Sequence, residues 1–189
     1  MKHFKIAVAA GHSIDEPGVE TKLEVEGESR ILSEHRQACL VVHHLKRMFP
    51  RNYDLRWVTG DHEQKVSGIN LIEPDLALEI HFNGFRNPIV GGAETLHDTG
   101  GESLTLAGKV QDRLVRHLGL RNRGIKPGWF QGDKSKGLVY FLWATDCPAI
   151  ITEGLFLTNP EEAKLLLKPT TRYAYALGIA EGIIDYLEA

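Results

Sequence analysis

The chain has 189 residues, 42% hydrophobic and 25% charged, the proportions of one globular domain that can bury a core. A formal net charge of −3 speaks against a nucleic-acid partner or an acidic membrane surface. No run reaches the roughly 20 apolar residues that span a bilayer, and the apolar run at residues 6–10 is too short for a signal peptide and stops at Gly11-His12.

Residues 4–10 are apolar and stop at glycine, as a buried first strand does. Residues 13–28 carry Pro17, Gly18, Gly27 and many acidic side chains, and are expected to form an exposed loop. Over residues 33–49, Ala38, Val41, Val42, Leu45, Met48 and Phe49 recur at helical spacing and Pro50 follows, which predicts an amphipathic helix. Residues 54–58 predict a strand, 60–73 a short helix, 75–82 a strand and 93–97 another, opened by Gly91-Gly92. A helix is expected over 103–118, with Gly119 as its C-cap. Residues 121–136 are basic and glycine-rich, hence loop. Strands follow at 138–142 and 149–152, then helices at 161–167 and 172–187. Strands alternating with helices predict an α/β fold: one domain with a mostly parallel or mixed twisted sheet flanked by helices. Cys39 and Cys147 sit in apolar surroundings without a CxxC spacing, so a reduced pair is the default.

Three distant segments each put one metal-type ligand after an apolar run. They are Ala9-Ala10-Gly11-His12, Glu79-Ile80-His81-Phe82-Asn83 and Ile150-Ile151-Thr152-Glu153-Gly154. Open α/β sheets carry their sites at the C-terminal edge of the strands. A lone histidine there is usually a surface residue. A carboxylate ending a buried strand needs a partner, which either chemistry or a salt bridge supplies. Together, two imidazoles and carboxylates fit the three-ligand pattern of catalytic zinc, with a spare carboxylate as acid/base.

In order and spacing these motifs resemble the zinc-dependent N-acetylmuramoyl-L-alanine amidases of the type-3 family, especially their phage-endolysin branch. The resemblance runs from about residue 4 to the C-terminus. It rests on Ala10-Gly11-His12-Ser13, a glutamate opening the first helix, His81-Phe82-Asn83, Gly91-Gly92-Ala93-Glu94, and the stretch Pro148-Ala149 through Glu153-Gly154 to Asn159. It implies one catalytic Zn2+ ion held by His12, a glutamate and His81, with Glu153 as catalytic acid/base. In the family, apolar residues stand eight, eleven and fifteen places after the liganding glutamate. From Glu34 these are Val42, Leu45 and Phe49; from Glu28 they are Arg36, Cys39 and His43, so Glu34 is the expected ligand. Two positions depart from the family. Glu79 stands where serine is common, as in some endolysin relatives, and Thr59-Gly60 stands where Thr-Arg is common.

The resemblance implies hydrolysis of the amide between N-acetylmuramic acid and L-alanine in peptidoglycan. The glycan strand and peptide stem would be the partners, and a monomer without membrane insertion is expected. Synthesis would be cytoplasmic, with action on the cell wall after release if the chain is phage-like. The alternatives are a zinc carboxypeptidase-like peptidase or a catalytically silent peptidoglycan-binding module. The nine residues 82–90 have no room for the helix that blocks zinc in some cell-division amidases, so activity without an activator is expected. The helical end at Ala189 leaves no room for a wall-binding module: residues 1–189 would be a single catalytic domain, as a compact lysin or a fragment. Arg121, Arg123, Lys126, Lys134 and Lys136, with Trp129 and Phe130, form either a solvated loop or the wall of a substrate groove. His62, His97 and His117 are expected at the surface.

Overall fold

The apolar run near the N-terminus forms β1 (Phe4–Ala10), which has no exposed face, because helices cover the sheet on both sides. The computed structural model describes residues 2–189. The chain continues through β2 (Glu20–Val25), β3 (Glu28–Ser33), α1 (Glu34–Leu45), β4 (Tyr53–Val58), α2 (His62–Ile72), β5 (Leu76–Asn83) and β6 (Ala93–His97). It ends with α3 (Gly101–Leu118), β7 (Asn122–Pro127), α4 (Tyr140–Ala144), β8 (Ala149–Phe156), α5 (Pro160–Leu165) and α6 (Pro169–Leu187). Six strands make one mixed sheet in the order β4-β1-β5-β8-β6-β7. β4, β1, β5 and β8 are parallel, whereas β6 runs against β8 and with β7. The expected single-domain α/β fold with a flanked, mixed sheet is thus what forms.

Successive residues of β5 feed opposite layers. Leu76, Leu78, Ile80 and Phe82 pack with side chains of α1, α3 and α6, while Ala77 joins Val66, Ile69, Phe141 and Leu142 of α2 and α4. α3 and α6 approach closely because Gly182 has no side chain; a Cβ there would lie 2.5 Å from Val110 Cα.

Four local expectations are corrected. Residues 13–28 are not all loop: β2 and β3 pair as an antiparallel hairpin that buries Leu23 and Leu32. Its turn residues Glu26 and Gly27 both have positive φ, 53° and 83°, as a tight hairpin turn requires. The charged residues that suggested a loop are the hairpin's solvent face. Residues 138–142 are not a strand; α4 buries Phe141 and Leu142 there, and so short an apolar run does not distinguish the two. Residues 121–136 are not wholly loop, since β7 adds an edge strand beside β6. β8 runs four residues beyond the expected 149–152, so Glu153 lies within the strand rather than after it. α2 does form, over eleven residues, secured by a capping box between Asp61 and Gln64.

Candidate functional site

At the C-terminal edge of β1, β5 and β8 the structure brings His12, Glu34 and His81 together. One ligand atom from each lies within 4.8 Å of the others. His12 follows β1 with φ of 59°, a left-handed conformation that turns the chain sharply at the sheet edge. Its Nε2 is 3.1 Å from Glu34 Oε2. His81 stands on β5 with Nδ1 2.8 Å from Glu34 Oε1. Glu34 opens α1, is 2% exposed, and also accepts the backbone N–H groups of Val19 and Phe82 at 3.0 and 3.1 Å.

Two glycines make room for this cluster. A Cβ on Gly11 would lie 2.5 Å from the His81 ring, and one on Gly18 would lie 2.4 Å from the His12 ring and 2.6 Å from Glu34 Oε2. The Gly-His pair at the end of β1 therefore supplies both an imidazole and the floor on which the second imidazole lies.

Glu153 pairs directly with His81 on one side and Glu94 on the other. Its Oε2 is buried and has no hydrogen-bond partner. Burial pushes its carboxyl up to about 8; the charge of His81 opposes this, and Glu34, Glu94 and Glu79 reinforce it. Glu34 goes the other way. Burial alone would raise it, but hydrogen bonds and charge from His12 and His81 hold it well below the usual carboxylate range. A cluster of two imidazoles and a buried carboxylate, with a second carboxylate beside it lacking a partner, suits a divalent cation that accepts nitrogen and oxygen ligands.

A pH effect follows for the metal-free protein. Because the folded Glu153 carboxyl is raised above 4.5, its neutral form contributes fully below about pH 4.5 and that contribution is lost as pH rises through about 8. In excess chelator, Glu153→Gln should therefore gain stability relative to the parent between pH 5 and 9, by about 2–4 kcal/mol. Urea unfolding at the two pH values measures this; a pH-independent difference would contradict it.

Sequence reasoning gave no role to three residues around the site, although Glu94 stood in one of the motifs. Lys65 of α2 is 2% exposed and bonds Glu79 Oε1 at 3.0 Å. Glu94 is held by Arg123 Nε at 2.6 Å, by Lys126 and by Asn83 Nδ2 at 2.7 Å. The Tyr175 hydroxyl accepts the Gly154 N–H at 2.8 Å and lies 3.0 Å from the carbonyl oxygens of His81 and Thr152, tying β5 to β8 on either side of Glu153. Glu79 and Glu94 gave the one available signal: a charge inside an apolar strand needs a buried cation.

The basic segment divides. Arg123 and Lys126 turn inward to Glu94, while Arg121, Lys134 and Lys136 are exposed. His97, expected at the surface, is 6% exposed with Nδ1 against the Asp98 carbonyl, because alternation along β6 puts it on the buried face of Thr95, which bonds Gln111 of α3, and not in solvent. His62 is exposed and His117 lies 2.9 Å from Glu181. Cys39 and Cys147 are both free thiols. A cleft of about 210 Å³ opens beside His12, lined by Ser13, Asp15, Glu16, Asp61 and His62.

Residues 6–185 match the family model described as N-acetylmuramoyl-L-alanine amidase. Among similar sequences is the amidase LytC of Bacillus subtilis (strain 168), 28% identical over 66% of this chain and 24% of that protein. Another is the endolysin of Bacillus phage SPP1, 27% identical over 95% of this chain and 60% of that protein. The chain thus spans less than two thirds of the length of either relative. In fold it resembles the catalytic domain of CwlV, an N-acetylmuramoyl-L-alanine amidase from Bacillus (Paenibacillus) polymyxa var. colistinus. The TM-score is 0.82 at 21% identity, covering 100% of this chain and 99% of that one.

Proposed function

The chain belongs to the N-acetylmuramoyl-L-alanine amidase family, and from that premise we propose that it hydrolyses the amide joining the lactyl group of N-acetylmuramic acid to L-alanine of the peptide stem. The observation that carries this reading is the convergence of His12, Glu34 and His81 beside a carboxylate that lacks a partner, Glu153. His12, Glu34 and His81 would hold one Zn2+ ion. When bound, zinc supplies a Lewis acid for the amide carbonyl and lowers the pKa of water to near ~7.

The protein's own groups do the rest. Glu34, anchored by two backbone N–H groups, keeps both imidazoles facing one point. Glu153 takes a proton from the attacking water and passes it to the stem nitrogen as the carbon–nitrogen bond breaks. The water oxygen stays on the muramoyl carboxylate, and the peptide leaves with a free L-alanine amine. Tyr175 holds the backbone on both sides of Glu153, so the carboxyl moves little between its two tasks. On this reading residues 1–189 form one catalytic unit, acting as a monomer on the cell wall outside the membrane and without an activating partner. No helix among the described residues is long and apolar enough to cross a membrane.

The test combines metal analysis with digestion of isolated peptidoglycan. We expect one zinc per chain, new amino-terminal L-alanine on the released stems, loss of release in chelator and recovery with added zinc. Digestion that yields no amino-terminal L-alanine, or full release by chelator-stripped protein, would overturn the proposal. Release of carboxy-terminal amino acids instead would mark a carboxypeptidase.

A further inference from the structure

An ammonium group is rarely buried, yet Lys65 of α2 is 2% exposed. Its Nζ donates to three acceptors, the full capacity of the group: the Ala10 carbonyl at 2.7 Å, the His12 carbonyl at 2.6 Å and Glu79 Oε1 at 3.0 Å. The first two acceptors bracket Gly11, on which the His81 ring lies. The second belongs to His12 itself, whose left-handed backbone is costly for a residue with a side chain. The third, Glu79, is 1% exposed and turns its other oxygen to His81 Nε2 at 3.1 Å. That nitrogen is opposite the one facing Glu34.

We propose that Lys65 is a positioning residue for the metal site: one buried ammonium fixes the His12 backbone directly and the His81 ring through Glu79, so that His12 Nε2 and His81 Nδ1 face Glu34 together. The proposal rests on the metal reading above. An imidazole that ligates a metal through one nitrogen is oriented by what its other nitrogen meets, and a carboxylate there fixes ring and tautomer. Glu79 is that carboxylate, and Lys65 is the charge that allows it to be buried. An ion pair serving stability alone would need only the Lys65–Glu79 contact. Here two further bonds from the same nitrogen fall on the turn that carries His12.

The test replaces Lys65 by methionine, which keeps length and apolar packing but removes the donors. Zinc affinity is measured by chelator competition, kcat and KM are measured separately, and the His81 Nε2–H proton resonance is followed in zinc-loaded protein. Lys65→Met is expected to weaken zinc binding about 10–100-fold, to lower kcat with little change in KM, and to shift or broaden the His81 resonance. The double variant Lys65→Met/Glu79→Gln should bind zinc more tightly than Lys65→Met, because no unpaired buried charge remains. Parental zinc affinity with an unmoved resonance would overturn the role, whatever happens to thermal stability. If Lys65→Met does not fold, Glu79→Gln decides by the same readouts: weaker zinc binding with an altered His81 resonance supports the role, and unchanged values overturn it. A parent that takes up no zinc, or a His81→Ala variant that binds it equally well, brings down the metal reading and this role with it. A parent that needs His81 while Lys65→Met binds unchanged overturns the role of Lys65 alone.

Discussion

Glu153→Ala is expected to retain one zinc per chain and to lose turnover on peptidoglycan by about 10²–10⁴-fold, the range for loss of a general acid/base. The expectation rests on separation of roles. Glu153 is not among the three groups whose ligand atoms converge, yet it pairs directly with His81 across the sheet. The substitution should also be well tolerated by the fold, because Oε2 is buried without a partner and its removal leaves no donor stranded. Stability equal to or above that of the parent, zinc retained and activity gone is the full expected pattern. A fully active variant would remove Glu153 from the mechanism; loss of zinc would make it a ligand instead.

Gly11→Ala should have an effect nearly as large through a single methyl group. The added Cβ would lie 2.5 Å from the His81 ring, far inside van der Waals contact, so either the ring or the end of β1 must move. Backbone strain is not the cause, because Gly11 is not among the residues with positive φ. His81→Ala removes the proposed ligand outright and should abolish both zinc binding and turnover. Gly11→Ala keeps every ligand and should still weaken zinc binding by at least about 10-fold, in line with misplacement of a ligating ring. Zinc titration of the three proteins settles the comparison. Parental affinity in Gly11→Ala would mean that the ring has another resting place and that the Gly-His pair matters only as a turn.

The parts of the fold that were legible in the sequence are those where burial is one-sided or complete. The heptad-like spacing from Ala38 to Leu45 could only be a helix with one face inward, and Gly119 marked the end of α3, where it caps with φ of 65°. Residues 138–142 misled because five apolar residues carry no period, and the helix they form owes its place to Gly128, Val139 and the packing of Phe141 and Leu142. The β2–β3 hairpin was obscured because only Leu23 and Leu32 are buried along it; the rest reads as a charged linker. For the candidate site, Glu34 was separable from Glu28 only through the resemblance, by laying the family's apolar spacing along the helix. Glu28 in fact begins a strand of the hairpin and is exposed. Lys65 carried no signal of its own, since a lysine in a predicted surface helix looks like any other. Only the carboxylate it meets, fourteen positions away within an apolar strand, indicated that a cation was needed.

The Tyr175 latch bears on how the protein is made. It is borne by α6, which leaves the ribosome after every strand of the sheet, because synthesis proceeds at about 5–20 residues per second from the N-terminus. Until that helix docks, β5 and β8 are joined at the position of Glu153 by their own ladder alone, so a nascent chain carries all its candidate site residues before the frame around Glu153 is complete. Completion of the frame around Glu153 thereby waits for translation through residue 175 and not for the appearance of the last candidate site residue.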